Sequence, residues 1–337
     1  MKRAALLAGV AIASFCAVGA SAQTLEAVKA RGVLKCGINT GLAGFAYTDS
    51  ANQWQGFDVA FCRALAGAVL GDPTKVEFIP TTTVTRFELL AAPAELDVLS
   101  RNTTWTLTRD ADLKFTFLGI SYYDGQGFMV PADSGVTSAT ELSDATICVQ
   151  SGTTTELNLA DYFKSNGLNL VTKPVETSDQ GQTEYLAETC DAYTTDISGL
   201  AAMRATFENP EAHVILPEVI SKEPLGPLVR EGDDRWADIG RWVFNALVTA
   251  EELGITKSNA AELAAAGTEN PDANRLLGRE GELGKMLGLP NDWAVKAIQA
   301  EGNYGEIFEA YLTPIGLERG LNAQWSDGGL LYAPPFR

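Results

Sequence analysis

Residues 56–71, "GFDVAFCRALAGAVLG", carry Phe57, Phe61, Leu65 and Val69 at four-residue spacing. That period draws one apolar stripe along a helix, the pattern of a helix lying on a sheet. Gly71-Asp72-Pro73 ends it, since glycine closes a helix readily and proline cannot continue one. Upstream, "GVLKCGIN" (32–39) reads as a strand, with a loop from Gly41 to Gly44 at its carboxyl end. Downstream come "KVEFIP" (75–80) as a strand, "TRFELLAAPA" (85–94) as a short helix and "LDVLS" (96–100) as a third strand. Strands alternating with helices call for a parallel α/β sheet, with ligands expected at the carboxyl ends of its strands.

After "GQGFMVPADS" (125–134) the same grammar restarts. "ATICVQSG" (145–152) is a strand, "TTTELNLADYFKSN" (153–166) a helix and "LNLVTKPV" (168–175) a strand. "QTEYLAETC" (182–190) is again a helix and "DAYTTD" (191–196) a strand. "PLGPLVREGD" (224–233) leads into a helix-rich tail with Trp236, Trp242 and Phe244. The expectation is an α/β protein of two lobes, each with a parallel-type sheet, and a ligand cleft between them. Residues 30–129 and the tail from 226 to 337 form the first lobe, and residues 130–225 the second.

The chain has 337 residues, 43 acidic against 25 basic, and a net charge of −18. Such a balance argues against nucleic acid or an anionic membrane as partner, because both need clustered Lys and Arg. At the N-terminus Lys2 and Arg3 precede an apolar run from Ala4 to Val18, followed by Gly19-Ala20-Ser21-Ala22. This is the layout of a cleavable signal peptide over residues 1–22, with cleavage after Ala22 and export to the periplasm. Cys16 follows Phe15, too bulky for a lipoprotein signal, so a soluble exported protein is expected. Without Cys16, Cys36, Cys62, Cys148 and Cys190 remain. An even number in an exported protein points to disulfides, with three connectivities open. Chain order favours Cys36–Cys62 and Cys148–Cys190, each within one α/β segment. With no C-x-x-C and His213 as the single histidine, no metal and no cofactor are expected.

Three segments could carry binding chemistry. In "VLSRNTTWTLTRD" (98–110) a core strand runs into a ladder of hydroxyls that ends on Arg109. A guanidinium fork holds a carboxylate in bidentate fashion, and Asn102 and Thr104 lie on the same segment. Alternatively, Arg109 is a surface residue of a polar turn. In "QSGTTTELN" (150–158) a strand–Gly–helix junction points free N–H groups and Thr154 outward; Thr153 and Glu156 have capping-box spacing. In "YTTDISG" (193–199) Asp196 ends a strand where ligands are expected and suits an ammonium group, or else caps a helix. Together they describe a receptor for a zwitterion. No G-x-S-x-G elbow, dinucleotide glycine pattern or metal cluster is present, so an enzyme is harder to build.

With these residues assembled, the chain resembles the family-3 solute-binding proteins of ABC amino-acid importers, in particular the general L-amino-acid-binding subgroup. The likeness rests on the Gly-aromatic-Asp-aliphatic start of "GFDVAFCRALAGAV", where Ala60 replaces the usual acid. It rests further on "VLSRNTTWTLTRD", "YYDGQGFMV", "VQSGTTTELNLADYF", "YTTD" and "VISKEPLGPLVREGDD". The resemblance implies that Thr104, Arg109 and Thr154 hold the ligand's α-carboxylate, and that Asp196 and the Asn102 carbonyl hold its ammonium. It implies a first loop with a polar residue, Asn39, and an apolar wall, Phe45; many relatives have Asp at the position of Asn39. It implies a monomer that binds L-amino acids of broad, polar, acidic or amide type and delivers them to a membrane permease, without catalysis. An exported carboxylate-using dehydratase of the arogenate or prephenate type on the same fold is the alternative. Residues 250–295 read as an insertion of unassigned role.

Overall fold

A computed structural model describes residues 24–337; the signal segment, Cys16 and the cleavage after Ala22 lie outside the described residues. The first lobe runs α1 (Thr24–Arg31), β1 (Leu34–Asn39), a hairpin β2–β3 (Tyr47–Thr48 and Trp54–Gln55), α2 (Phe57–Leu70), β4 (Val76–Thr81), α3 (Thr85–Ala91), β5 (Val98–Leu99) and β6 (Phe115–Phe117). Strand β7 (Tyr122–Asp124) then leads across to β8 (Gln126–Pro131), β9 (Thr146–Gln150), α4 (Thr154–Ser165), β10 (Val171–Val175), α5 (Ser178–Leu186), β11 (Ala192–Asp196), α6 (Ile197–Arg204) and β12 (His213–Ile215). The chain returns through β13 (Glu223–Leu225) to β14 (Leu228–Arg230) and α7 (Asp234–Glu252). Five shorter helices close it: α8 (Ala260–Ala266), α9 (Pro271–Leu276), α10 (Leu283–Leu287), α11 (Trp293–Glu301) and α12 (Tyr304–Tyr311).

The two sheets share one plan. The first is ordered β4-β1-β5-β14-β6 and the second β10-β9-β11-β8-β12. In each, three parallel strands are followed by one antiparallel strand and then by a fifth that again runs with the first three. The sheets are therefore mixed, because β14 and β8 are the strands by which the chain enters each lobe from the other. All of β8 lies in the second sheet, so the first crossing falls at about residue 125 and not at 129–130 as expected. Between the lobes, β7 and β13 pair antiparallel, with Asp124 opposite Glu223. Asn322 of the C-terminal tail clips this hinge: its Oδ1 accepts from the Tyr123 N–H at 2.7 Å, and its Nδ2 donates to the Tyr123 carbonyl at 3.1 Å.

Helix α2 buries nearly its whole circumference rather than one stripe, because it is sandwiched between β1 and α11. At Gly67 a Cβ would meet the Lys296 carbonyl oxygen at 2.7 Å, so only glycine lets the two backbones approach that closely. Residues 250–295, expected to be an insertion, contribute to the first-lobe core. Ala273, Leu276, Leu277 and Leu287 enter the first-lobe core beside Trp236 and Trp293, thickening the layer over α7.

Cys36 and Cys62 join β1 to α2 with Cα atoms 6.3 Å apart, and Cys148 joins β9 to Cys190, just before β11, at 5.6 Å. Each bond ties a strand to an element of its own lobe. The separations of 26 and 42 residues correspond to about 3.5–4 kcal/mol each in the chain-entropy description. Non-reducing peptide mapping should recover these two pairs. Replacing either pair by alanines should lower unfolding free energy in urea by about 3–4 kcal/mol; a Cys36–Cys190 link would contradict the arrangement.

Asp58, in the first turn of α2, is buried, and its carboxylate accepts from the Asn102 N–H at 3.0 Å and the Ser100 hydroxyl at 3.4 Å. Burial pushes its carboxyl up from 3.8 to about 7, against the pull of these hydrogen bonds and of Arg101. A carboxyl raised in the folded state lends stability at low pH that is lost as pH rises between the two values. Asp58→Asn, a neutral isostere, should therefore gain stability relative to wild type as pH rises from about 4 to about 7. Urea unfolding of both proteins across that window tests this; parallel curves would refute it.

Candidate ligand-binding cleft

The turn after β5 builds the first wall. Asn102 sits at φ 29°, a left-handed conformation that its side chain tolerates, and its N–H reaches Asp58. Asn39 at the end of β1 is buried and donates to the Asn102 Oδ1 at 3.1 Å. The same turn sends Arg101 inward, where its Nε donates to the Thr81 carbonyl at 3.0 Å. Arg109 lies on a turn of π-helix, Thr108–Asp112, and donates from Nη1 to the Thr104 carbonyl at 2.8 Å. The Trp within the ladder serves packing, since Trp105 stacks on Phe117 at 5.1 Å and donates to Asp110 at 2.7 Å.

Arg86 on α3 is a residue that sequence reasoning passed over. It is buried, its Nη1 donates to the Thr103 hydroxyl at 3.3 Å, and its Nε is buried without a hydrogen-bond partner. Phe87 underlies both Arg86 and Arg109, whose guanidiniums stand 4.6 and 5.3 Å from the ring centre. A readable signal existed: Arg86 and Leu90 are one helical turn apart and share the buried face of α3.

The second wall comes from α4 and β11. Thr153 caps α4, its hydroxyl accepting from the Glu156 N–H at 3.1 Å. The N–H groups of Thr154 and Thr155, at the first helical positions, have no carbonyl within the helix to bond. Asp196, at the end of β11, is buried and caps no N–H of α6, so the helix-cap alternative falls away. Across the cleft the Thr83 hydroxyl donates to the Ser151 carbonyl at 3.1 Å, and the Thr104 and Thr154 hydroxyls are 3.3 Å apart.

Asn39, Asn102, Thr104, Arg109, Thr154 and Asp196 thus line one cavity, joined there by Arg86 and Arg101. Phe45 does not. It is 1% exposed and packs edge-on against Phe57 and Tyr122 at 6.1 and 5.7 Å, inside the first-lobe core. Its place at the cavity wall is taken by Leu42, three residues earlier in the same loop. The expectation failed because a bulky aromatic gains more from full burial than from a half-open wall.

Charge dominates the site. Burial holds Arg86 well below its ordinary range, with Arg101 and Arg109 adding repulsion. Burial lowers Arg101 to about 10, with Asp58 opposing, and lowers Arg109 against the attraction of Glu223 and Asp196. Asp196 is displaced well upward by burial and then by Asp124 and Glu223, with Arg109 and Arg86 pulling it back. Three guanidiniums face the cavity, and the one acid among the described residues lining it is Asp196. Such a surface favours a ligand with more negative than positive charge.

A second missed residue is Glu223. It is 1% exposed and receives the hydroxyls of Thr104 and Thr154 at 2.6 and 2.9 Å. Those hydroxyl protons are turned to a carboxylate of the protein itself. Its signal was an acid directly before the Pro224-Leu225-Gly226-Pro227 return segment.

The model of the bacterial extracellular solute-binding proteins, family 3, matches residues 34–314. The glutamate/glutamine/aspartate/asparagine-binding protein of Rhodobacter capsulatus is 59% identical, covering 100% of both chains. The general L-amino acid-binding periplasmic protein of Rhizobium johnstonii is 54% identical over 98% of this chain and 97% of its own. A periplasmic binding protein from Brucella ovis, solved with glutathione bound, shares 53% identity with a TM-score of 0.90, covering 94% of this chain and 100% of its own. These relatives are binding proteins, which does not favour the dehydratase alternative. With that family model matching residues 34–314 and relatives 59% and 54% identical over nearly the whole chain, this chain belongs to the bacterial extracellular solute-binding proteins, family 3.

Proposed function

We propose that this protein captures L-amino acids in the periplasm, favouring those with acidic and amide side chains, and hands them to the permease of an ABC importer. The observation that carries the preference is the unpartnered Nε of Arg86, buried in a cavity that three guanidiniums share with one carboxylate. An α-amino acid brings one carboxylate and one ammonium. Arg109, with the free N–H groups at the start of α4, takes the carboxylate; Asp196 and the Asn102 carbonyl take the ammonium. Arg86 and Arg101 are then left for a second carboxylate or an amide oxygen on the ligand side chain. Asn39 and Leu42 border the side-chain space. The names of the Rhodobacter and Rhizobium relatives support the same range of ligands.

Closure supplies the mechanism. A ligand that touches both lobes shifts the population toward a closed form, which the permease recognises. None of these roles requires a covalent or acid–base step, and we assign no catalysis. The protein acts as a monomer on this reading, since the cleft is complete within one chain.

Calorimetry with glutamate, aspartate, glutamine, asparagine, leucine and glutathione tests the assignment. Arg109→Ala should weaken all of the amino acids alike, because each presents an α-carboxylate. An unpaired buried charge costs about 3–5 kcal/mol, a factor of roughly 10²–10³ or more in affinity. Asp196→Ala should act as broadly. Arg86→Met, by contrast, should reorder preference, weakening glutamate and aspartate most and leucine least. Wild-type-like affinity in Arg109→Ala would end the binding model, and robust turnover of prephenate or arogenate would end the transporter reading.

A further inference from the structure

Glu223 is buried at the seam of the two lobes with every acceptor position filled. Its Oε2 accepts from Thr104 Oγ1 at 2.6 Å and Thr154 Oγ1 at 2.9 Å. Its Oε1 accepts from Asn158 Nδ2 and Ser221 Oγ, each at 2.7 Å. An ionised carboxylate offers about four lone-pair directions, so this one has a complete set of donors. Those donors belong to different bodies. Thr104 is in the first lobe, Ser221 in the returning crossing, and Thr154 and Asn158 one turn apart on α4 of the second lobe.

The backbone shows which contacts can part. Around Glu223 the crossing is tied to the first lobe: Trp105 N–H donates to the Pro224 carbonyl at 2.8 Å, and Gly226 N–H to the Thr103 carbonyl at 3.0 Å. Ser121 N–H adds a bond to the Leu225 carbonyl at 2.8 Å. Glu223 therefore travels with Thr104, and the bonds that break when the lobes separate are those from Thr154 and Asn158. Opening replaces two protein donors with water and leaves the first-lobe side intact.

We propose that Glu223 is an interlobe latch, a fixed hinge carboxylate onto which the first turns of α4 dock whenever the lobes close. The latch adds the same increment to closure for every ligand, because Glu223 and Asn158 lie outside the set of residues lining the cavity. It also positions Thr154, whose N–H is assigned above to the ligand carboxylate. Apparent affinity falls in proportion to the population of the competent form. Weakening the latch should thus scale all dissociation constants together, whereas altering a ligand contact would reorder them. The ligand-affinity part of this inference rests on the proposed amino-acid binding; the conformational part rests only on the lobe closure proposed with it and is measured without ligand.

Asn158→Ala is the discriminating variant, since it removes one latch donor and is not itself among the residues lining the cavity. We expect dissociation constants for glutamate, glutamine and asparagine to rise by a common factor of roughly tenfold, the loss of one hydrogen bond to a charged acceptor. Pulsed dipolar spectroscopy between spin labels on the two lobes should show the unliganded variant shifted toward longer distances. Glu223→Gln, which keeps the shape but turns an amide N–H₂ toward two donors, should show the same shift in interlobe distance; because it also removes a charge that acts on Arg109 and Asp196, the common-factor test of affinity is read from Asn158→Ala. A wild-type distance distribution in Asn158→Ala would overturn the latch, as would a change confined to one amino acid. If wild-type protein bound no amino acid at all, the functional reading would fail, while the distance measurement would still judge the latch.

Discussion

Three guanidiniums cannot be buried side by side without partners, and the first lobe is organised around that constraint. Arg86, Arg101 and Arg109 are 3%, 3% and 6% exposed. Leaving even one of them uncompensated in a dry interior would be prohibitive. The carbonyls of Thr81 and Thr104, the Thr103 hydroxyl and the face of Phe87 each take part of the load. Asp58 holds the turn that delivers Arg101, while Asp196 from the second lobe and Glu223 at the seam lend negative potential. The arrangement remains under-compensated toward the cavity, and that residual field is what an anionic ligand would relieve.

Much of this was legible because it is local. The strand–helix rhythm, the alternation of sheet and helix in each half and the pairing of cysteines within each half depend on residues near one another in the chain. Thr104, Arg109, Thr154 and Asp196 could be nominated because ligand groups gather at the carboxyl ends of strands, and all four line the cavity. Phe45 was misplaced because its environment is set by Phe57 and Tyr122, a tertiary neighbourhood that the loop does not advertise. Arg86 and Glu223 escaped for the converse reason. Each looks ordinary in its own segment, and only the meeting of distant segments makes it exceptional.

The division between lobes shows the same limit. Read from sequence, the first part of the first lobe ends at residue 129, inside the strand Gln126–Pro131. Its partners are β11 and β12, residues that lie far downstream. Antiparallel strands that enter a sheet from elsewhere carry no period of their own to reveal which sheet they will join. Residues 250–295 likewise carry no local sign of their role, which is to place Leu276, Leu277, Leu287 and Trp293 in the same core as Trp236.

Neither disulfide spans the cleft, and this separates two mechanical properties that many proteins must trade. Cross-links and cores tie each lobe together within itself, while the chain passes between the lobes where the two three-residue strands β7 and β13 run side by side. The Asn322 clip on Tyr123 braces one of those strands against sideways drift without joining the lobes to each other. An oxidising environment can therefore cross-link each lobe within itself and place no disulfide between them.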